Sequence, residues 1–128
     1  MKRDMDLVRD ILLAIEQDPR LDGTGWYEFD DPAALGLAGR SYEELAYHLT
    51  LLIEAGLIEG KTAMRMPMVN RLTWQGHEFV SDVRDPAVWR RTKEGAKAAG
   101  NAGIQFAWQL AKAYGKQVAK EKLGIDLP

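Results

Sequence analysis

The stretch Leu49-Thr50-Leu51-Leu52-Ile53-Glu54-Ala55-Gly56-Leu57-Ile58, followed at a short distance by Leu72-Thr73-Trp74-Gln75-Gly76, decides how this chain folds. In the first segment an apolar helical run stops at a glycine and passes straight into residues of strand character. In the second, a strand end meets a threonine able to cap the next helix. A helix that feeds a hairpin, with another helix capped at the hairpin's exit, is the arrangement of a winged helix-turn-helix, the hairpin being the wing.

The flanking sequence fits that frame. Upstream, Ser41-Tyr42-Glu43-Glu44 is a capping-box start and predicts a helix to Ala55. At ~100° per residue, Tyr42, Leu45, Ala46, Leu49, Leu52 and Ile53 share its buried stripe. From Asp4 to Gln17 the residues Met5, Val8, Ile11, Leu12 and Ile15 recur at helical spacing, and Asp18-Pro19 stops that helix. Trp26-Tyr27-Glu28-Phe29 has the aromatic content of a short strand, and Asp31 can cap a single turn opening with Pro32. Downstream, Leu57-Ile58-Glu59 leads into a strand, Lys61 to Met68 has hairpin-loop character, and Val69-Asn70-Arg71-Leu72 is the returning strand. A helix follows from Trp74 to about Arg84, another from Asp85-Pro86 toward Ala99, a break at Gly100-Asn101-Ala102-Gly103, and a last helix from Ile104 to about Leu123. The expected fold class is mainly α with a small antiparallel β wing, a winged helix-turn-helix-like domain with a C-terminal helical extension. Residues 1–128 are expected to form a single domain, with 1–84 as winged-helix core and 85–128 as C-terminal helices.

Composition sets bounds on function. A chain of 128 residues, 46% apolar, has material for one core. Without cysteine it has no disulfide framework, no thiolate nucleophile and no Cys-based metal site. The opening Met1-Lys2-Arg3-Asp4-Met5-Asp6 is charged rather than apolar, and no long apolar run occurs, so a cytoplasmic protein with no membrane contact is expected. The net charge of −2 hides an asymmetry: residues 1–60 sum to −8, residues 61–83 to +1 and residues 84–128 to +5. Such a split suggests an anionic partner or an acidic–basic self-contact, and it also fits solvated faces that differ in sign.

Several blocks, in order, carry a family likeness: Met1-Lys2-Arg3-Asp4-Met5-Asp6-Leu7, Tyr47-His48-Leu49, Leu52-Ile53-Glu54-Ala55-Gly56-Leu57-Ile58, Leu72-Thr73-Trp74-Gln75-Gly76-His77-Glu78-Phe79, Val88-Trp89 and Thr92-Lys93-Glu94. Together they resemble a family of small bacterial and prophage-encoded proteins, domain-of-unknown-function family 2513. The resemblance covers the chain to about Glu94 and thins over the last helix, where Ala119-Lys120-Glu121-Lys122-Leu123-Gly124 is similar to the family's ending. It implies a winged-helix fold and a mobile-element setting, and it brings no known activity, substrate or catalytic residue.

The residues themselves offer no catalytic constellation. His48 and His77 lie on different helices without metal-ligand spacing, and each reads as a packed or capping residue. Ser81, Asp82 and His77 are triad residue types crowded onto one helix, where nucleophile and base cannot oppose each other. Gly36, Gly39 and Arg40 form no phosphate loop, and Asp30-Asp31 and Glu43-Glu44 read as caps or solvated surface. No catalytic, metal-binding or cofactor-binding residue is expected, and the chain is read as a non-enzyme.

Binding surfaces are the remaining question. The outward face of the helix from Ser41 holds Glu43, Tyr47, Thr50, Leu51 and Glu54 and no cation, which is unfavourable toward phosphates. Tyr47 and Leu51 there suit a protein contact. The wing carries Lys61, Arg65 and Arg71, with Met64, Met66 and Met68 as adaptable apolar residues. On the last helix Gln105, Gln109, Lys112, Lys116 and Lys120 share one narrow arc. Opposite lies a wide apolar arc whose Ile104, Trp108, Ala111 and Gly115 are a candidate subunit contact, with Trp108 at the edge. The alternative is that this arc is wedged within its own chain. Two functions follow: a regulatory winged-helix module binding DNA through Lys61, Arg65, Arg71, Lys112, Lys116 and Lys120, or a protein-interaction module of the same fold. In both, a homo-oligomer is expected.

Overall fold

The computed structural model describes residues 1–101 and 103–128, and among them are five α-helices and one three-stranded antiparallel sheet. The chain falls into two compact units, Met1–Glu78 and Phe79–Pro128. Ala102, in the expected break before the last helix, lies outside the described residues.

In the first unit, α1 (Met5–Gln17) starts where the Asp4 carboxylate accepts the backbone N–H groups of Asp6 and Leu7. Its apolar stripe, Leu7, Val8, Ile11, Leu12 and Ile15, is buried. Each such aliphatic side chain contributes about 1.5–3 kcal/mol of transfer free energy, set against ordering entropy. After β1 (Tyr27–Glu28), Asp31 accepts the Ala33 N–H and Pro32 opens one 3₁₀ turn, Pro32–Leu35. The helix α2 (Tyr42–Glu54) begins with a reciprocal capping box, Ser41 Oγ accepting from the Glu44 N–H at 3.0 Å and Glu44 Oε1 from the Ser41 N–H at 3.1 Å.

The exit from α2 is a Schellman turn. Gly56 adopts φ +76°, its N–H donates to the Ile53 carbonyl, and the Leu57 N–H reaches back to that of Leu52. Buried Leu52 and Leu57 flank the turn, and the chain enters β2 (Ile58–Lys61) at once. β2 pairs with β3 (Met68–Leu72), which also pairs with β1, giving the order β1-β3-β2. The register runs Glu59 opposite Arg71 and then Gly60 opposite Val69, so Asn70 is the extra residue of a bulge. Asn70 is buried, and its Nδ2 donates to the Gly25 carbonyl at 2.9 Å, tying the loop before β1 to the sheet.

Thr73 then joins α2's exit to α3 (Trp74–Val83). Its hydroxyl donates to the Gly56 carbonyl at 2.6 Å and accepts the Gly76 N–H at 3.1 Å. A Cβ on Gly76 would stand 2.1 Å from the Leu57 carbonyl oxygen, so the first turn of α3 lies on the backbone leaving α2.

Two side-chain assignments differ from the periodicity. The buried residues of α2 are Leu45, His48, Leu49 and Leu52, while Tyr42, Ala46 and Ile53 are half-buried. The stripe is turned toward His48 because both ring nitrogens find partners inside the fold. Met66, expected as an adaptable wing residue, is instead part of the core, whereas Met64 is fully exposed.

In the second unit, α4 (Pro86–Ala99) is capped by Asp85, which accepts the Ala87 N–H at 2.7 Å, with Pro86 at the first position. It packs along α5 (Ile104–Leu123). Gly95 permits the approach: a Cβ there would meet the Tyr114 hydroxyl at 2.7 Å and Leu110 at 3.2 Å. Arg91 bridges to Glu121 at 3.1 Å. Among the described residues no helix is long and apolar enough to cross a membrane.

Candidate nucleic-acid interface

The three cations of the β2–β3 hairpin have different surroundings. Arg71 sits opposite Glu59 in the ladder and is held by it, Nη2 to Oε2 at 2.7 Å, while Nη1 donates to the Leu72 carbonyl. Lys61, at the end of β2, places its ammonium 4.4 Å from the centre of the Trp26 ring. Arg65, in the hairpin loop, lies 5.8 Å from the Tyr42 ring centre. Among the described residues neither Lys61 nor Arg65 has a carboxylate partner, and both are exposed. An aromatic face attracts a cation without neutralising it, so these two charges stay available to an anion. Beside them Met64 projects fully into solvent.

The outward face of α2 is of opposite character. Glu43 and Glu54 are exposed, Thr50 and Leu51 half-buried, and Tyr47 is 37% exposed with its ring edge-on to His48. No Lys or Arg lies between Ser41 and Ala55.

What positions α2 is a polar clasp to the start of α1. His48 Nε2 accepts the Asp4 N–H at 2.8 Å, and Nδ1 lies 2.8 Å from the Glu44 carbonyl, so a ring protonated at Nδ1 satisfies both. Arg40 bridges the carboxylates of Asp4 and Glu44 at 2.8 and 3.1 Å. Burial works to raise the Asp4 pKa, but the Arg40 guanidinium and the N–H groups of Leu7 and Asp6 outweigh it and hold the carboxyl below its ordinary value. Glu44 is lowered by the Ser41 N–H first and by Arg40 next. His48 is therefore a structural residue. His77 is exposed in the first turns of α3.

Elsewhere in the first unit, α1 and the 3₁₀ turn border an open cleft of about 400 Å³, with Leu13, Ala14, Leu35 and Leu37 inside and Asp10 and Asp18 among its lining residues. Asp18 is engaged by Arg20 at 2.6 Å, and that hydrogen bond holds its carboxyl below the ordinary value.

In the second unit the apolar arc of α5 is largely taken up. Ala111, Ala107 and Val118 are buried, while Ile104, Trp108 and Gly115 are half-buried. Trp108, expected at the edge of the arc near a subunit contact, is half-buried and has partners within its own unit. Its Nε1 donates to Asp82 Oδ2 at 2.6 Å and its ring meets Phe79 edge-on at 5.6 Å. Lys112, Lys116 and Lys120 are exposed. Lys112 lies 4.7 Å from the Trp108 ring centre, and Lys120 is 3.4 Å from Asp126. Sequence reasoning did not find the Trp26, Tyr42 and Asp82 partners, because each pairing joins residues distant in the chain.

The sequence profile of a family described as "Hypothetical protein (DUF2513)" matches residues 2–102, which ends before α5. A Haemophilus influenzae protein described as uncharacterized is 36% identical over 102 residues, covering 77% of this chain and 80% of that protein. No solved structure matches the chain. The chain thus belongs to the DUF2513 family.

Proposed function

We propose that this chain is a non-catalytic winged-helix module that touches nucleic-acid phosphates with its hairpin, in a regulatory role of the mobile-element kind. The winged-helix assignment is supported by the element order helix, strand, turn, helix, hairpin, helix and by the sheet order β1-β3-β2. In that frame β2 and β3 are the wing and α2 takes the place of the recognition helix.

The observation that carries the nucleic-acid reading is the presentation of Lys61 and Arg65 on aromatic faces, without carboxylate partners among the described residues, while Arg71 is held by Glu59. Contact led by the wing rather than by α2 follows from charge, because Glu43 and Glu54 repel phosphate and nothing on α2 offsets them. Two phosphate contacts contribute about 1.8 to the slope of log K against log salt, so binding through the wing is weak and weakens by roughly tenfold between about 50 and 200 mM salt. Anisotropy of a labelled random-sequence duplex over that range tests the proposal. Salt-sensitive binding supports it, and no binding at low salt removes it.

A second reading rests on the face of α2. Tyr47 with Leu51 between two carboxylates, without a cation, favours a protein partner of apolar and basic character. The apolar part of such an association varies little with salt, and only its charge contacts are screened. Self-association through α5 stays a proposal of its own: Ile104, Trp108 and Gly115 are half-buried, and Trp108 is also engaged by Asp82 and Phe79 of its own chain.

A further inference from the structure

We infer that α5 carries a second phosphate-contact line, formed by Lys112, Lys116 and Lys120 and continued by Gln105 and Gln109, which follows one strand of a nucleic-acid backbone; the inference rests on the nucleic-acid reading but not on the hairpin. All five side chains are exposed. The line is roughly 22 Å long, and its i, i+4 lysines are ~6 Å apart, comparable with neighbouring phosphates of one strand. Glutamine amides at its N-terminal end can donate to phosphate oxygens without adding charge.

The second unit as a whole directs positive charge outward. Residues 79–128 sum to +4. Three of their carboxylates are engaged within the unit: Asp82 accepts the Trp108 indole N–H, Asp85 caps α4 and meets Lys122, and Glu121 is bound by Arg91. Lys112 and Lys116 have no carboxylate partner among the described residues. Lys112 is held over the Trp108 ring, which orders the side chain without neutralising it. The contact of Lys120 with Asp126 is 3.4 Å long between side chains 70% and 82% exposed, so phosphate can displace it.

An anionic membrane is the rival partner for such a stripe. Interfacial helices insert an apolar face beside their cations. On α5 that face is occupied: Ala107, Ala111 and Val118 are buried, and Leu110 and Tyr114 close on Gly95 of α4. Between Gln105 and Lys120 the charge line has no free apolar face beside it, which suits a phosphodiester backbone; the exposed Leu123, Ile125 and Leu127 lie beyond its C-terminal end.

The test uses the full chain, a random-sequence duplex and vesicles of phosphatidylcholine with phosphatidylserine. Lys112→Gln/Lys116→Gln/Lys120→Gln is expected to lower the salt slope by about 2.7 and to weaken low-salt binding by tenfold or more, while the triple Lys→Arg variant keeps both near wild type. Vesicles are expected neither to bind the protein nor to compete with the duplex. An unchanged slope in the Gln variant overturns the inference even if the hairpin contributes to binding. Vesicle binding abolished by the same substitutions also overturns it, in favour of a membrane surface. If the unmodified protein binds no duplex at low salt, this inference and the nucleic-acid reading fall together. A Lys61→Gln/Arg65→Gln variant with wild-type slope removes only the hairpin.

Discussion

The indole N–H of Trp108 donates to the carboxylate of Asp82 at 2.6 Å, joining α5 to the end of α3 across 26 residues of sequence. The same ring stacks edge-on against Phe79, so Trp108 is an internal tie of the second unit. Trp108→Phe, which keeps the ring stack but leaves Asp82 without its donor, is expected to cost about 1–3 kcal/mol. Trp108→Ala is expected to cost about 2–4 kcal/mol. Urea unfolding checks both, with sedimentation of each variant alongside. A Trp108→Ala protein of unchanged stability that dissociates from an oligomer would place the residue at a subunit contact instead.

Acid should loosen the clasp between α1 and α2. Asp4 and Glu44 both have lowered pKa values, so the folded chain holds their protons less tightly than the unfolded chain does. Their contribution to stability is complete above the ordinary carboxylate range and is lost as pH falls below about 4. In Arg40→Gln the loss of stability between neutral pH and that range should be smaller than in wild type. Denaturant midpoints over a pH series give the answer, and parallel curves for the two proteins would show that Arg40 is not the cause. His48→Ala should expose the Asp4 amide to hydrogen exchange, because that N–H then loses its acceptor.

Two glycines give opposite expectations from one substitution. Gly76→Ala forces a methyl to 2.1 Å from the Leu57 carbonyl oxygen and is expected to destabilise by about 1–3 kcal/mol or more. Around Gly115 a Cβ meets nothing within 4 Å, so Gly115→Ala is expected to stabilise α5 by about 0.5–1 kcal/mol. Thermal melts of the two variants decide. A destabilised Gly115→Ala would mean that something covers this position in solution.

Much of the fold was legible because it is written in local chemistry. Asp4, Asp31, Ser41, Thr73 and Asp85 each sit at a turn start and cap the backbone within three residues, and Gly56 ends α2 where a left-handed residue is needed. What escaped depends on partners far along the chain. His48, expected as a packed or capping residue, is buried, but its partner, an amide 44 residues away, was not visible, and Asn70 turns inward at a bulge that the alternation of Val69 to Leu72 does not reveal. The outward charges of the hairpin were visible. The sequence did not reveal that Glu59 takes Arg71, or that Trp26 and Tyr42 lie under the other two.

Hairpin-led phosphate contact is tested most directly by the salt dependence of random-duplex binding for the wild-type chain and for Lys61→Gln/Arg65→Gln. The motive is that these two cations lie on aromatic rings and have no carboxylate partner among the described residues. The slope of log K against log salt should fall by about 1.8 in the double variant, while Arg71→Gln, already neutralised by Glu59, should change it by less than about 0.9. A double variant whose slope equals that of wild type would contradict contact through the hairpin.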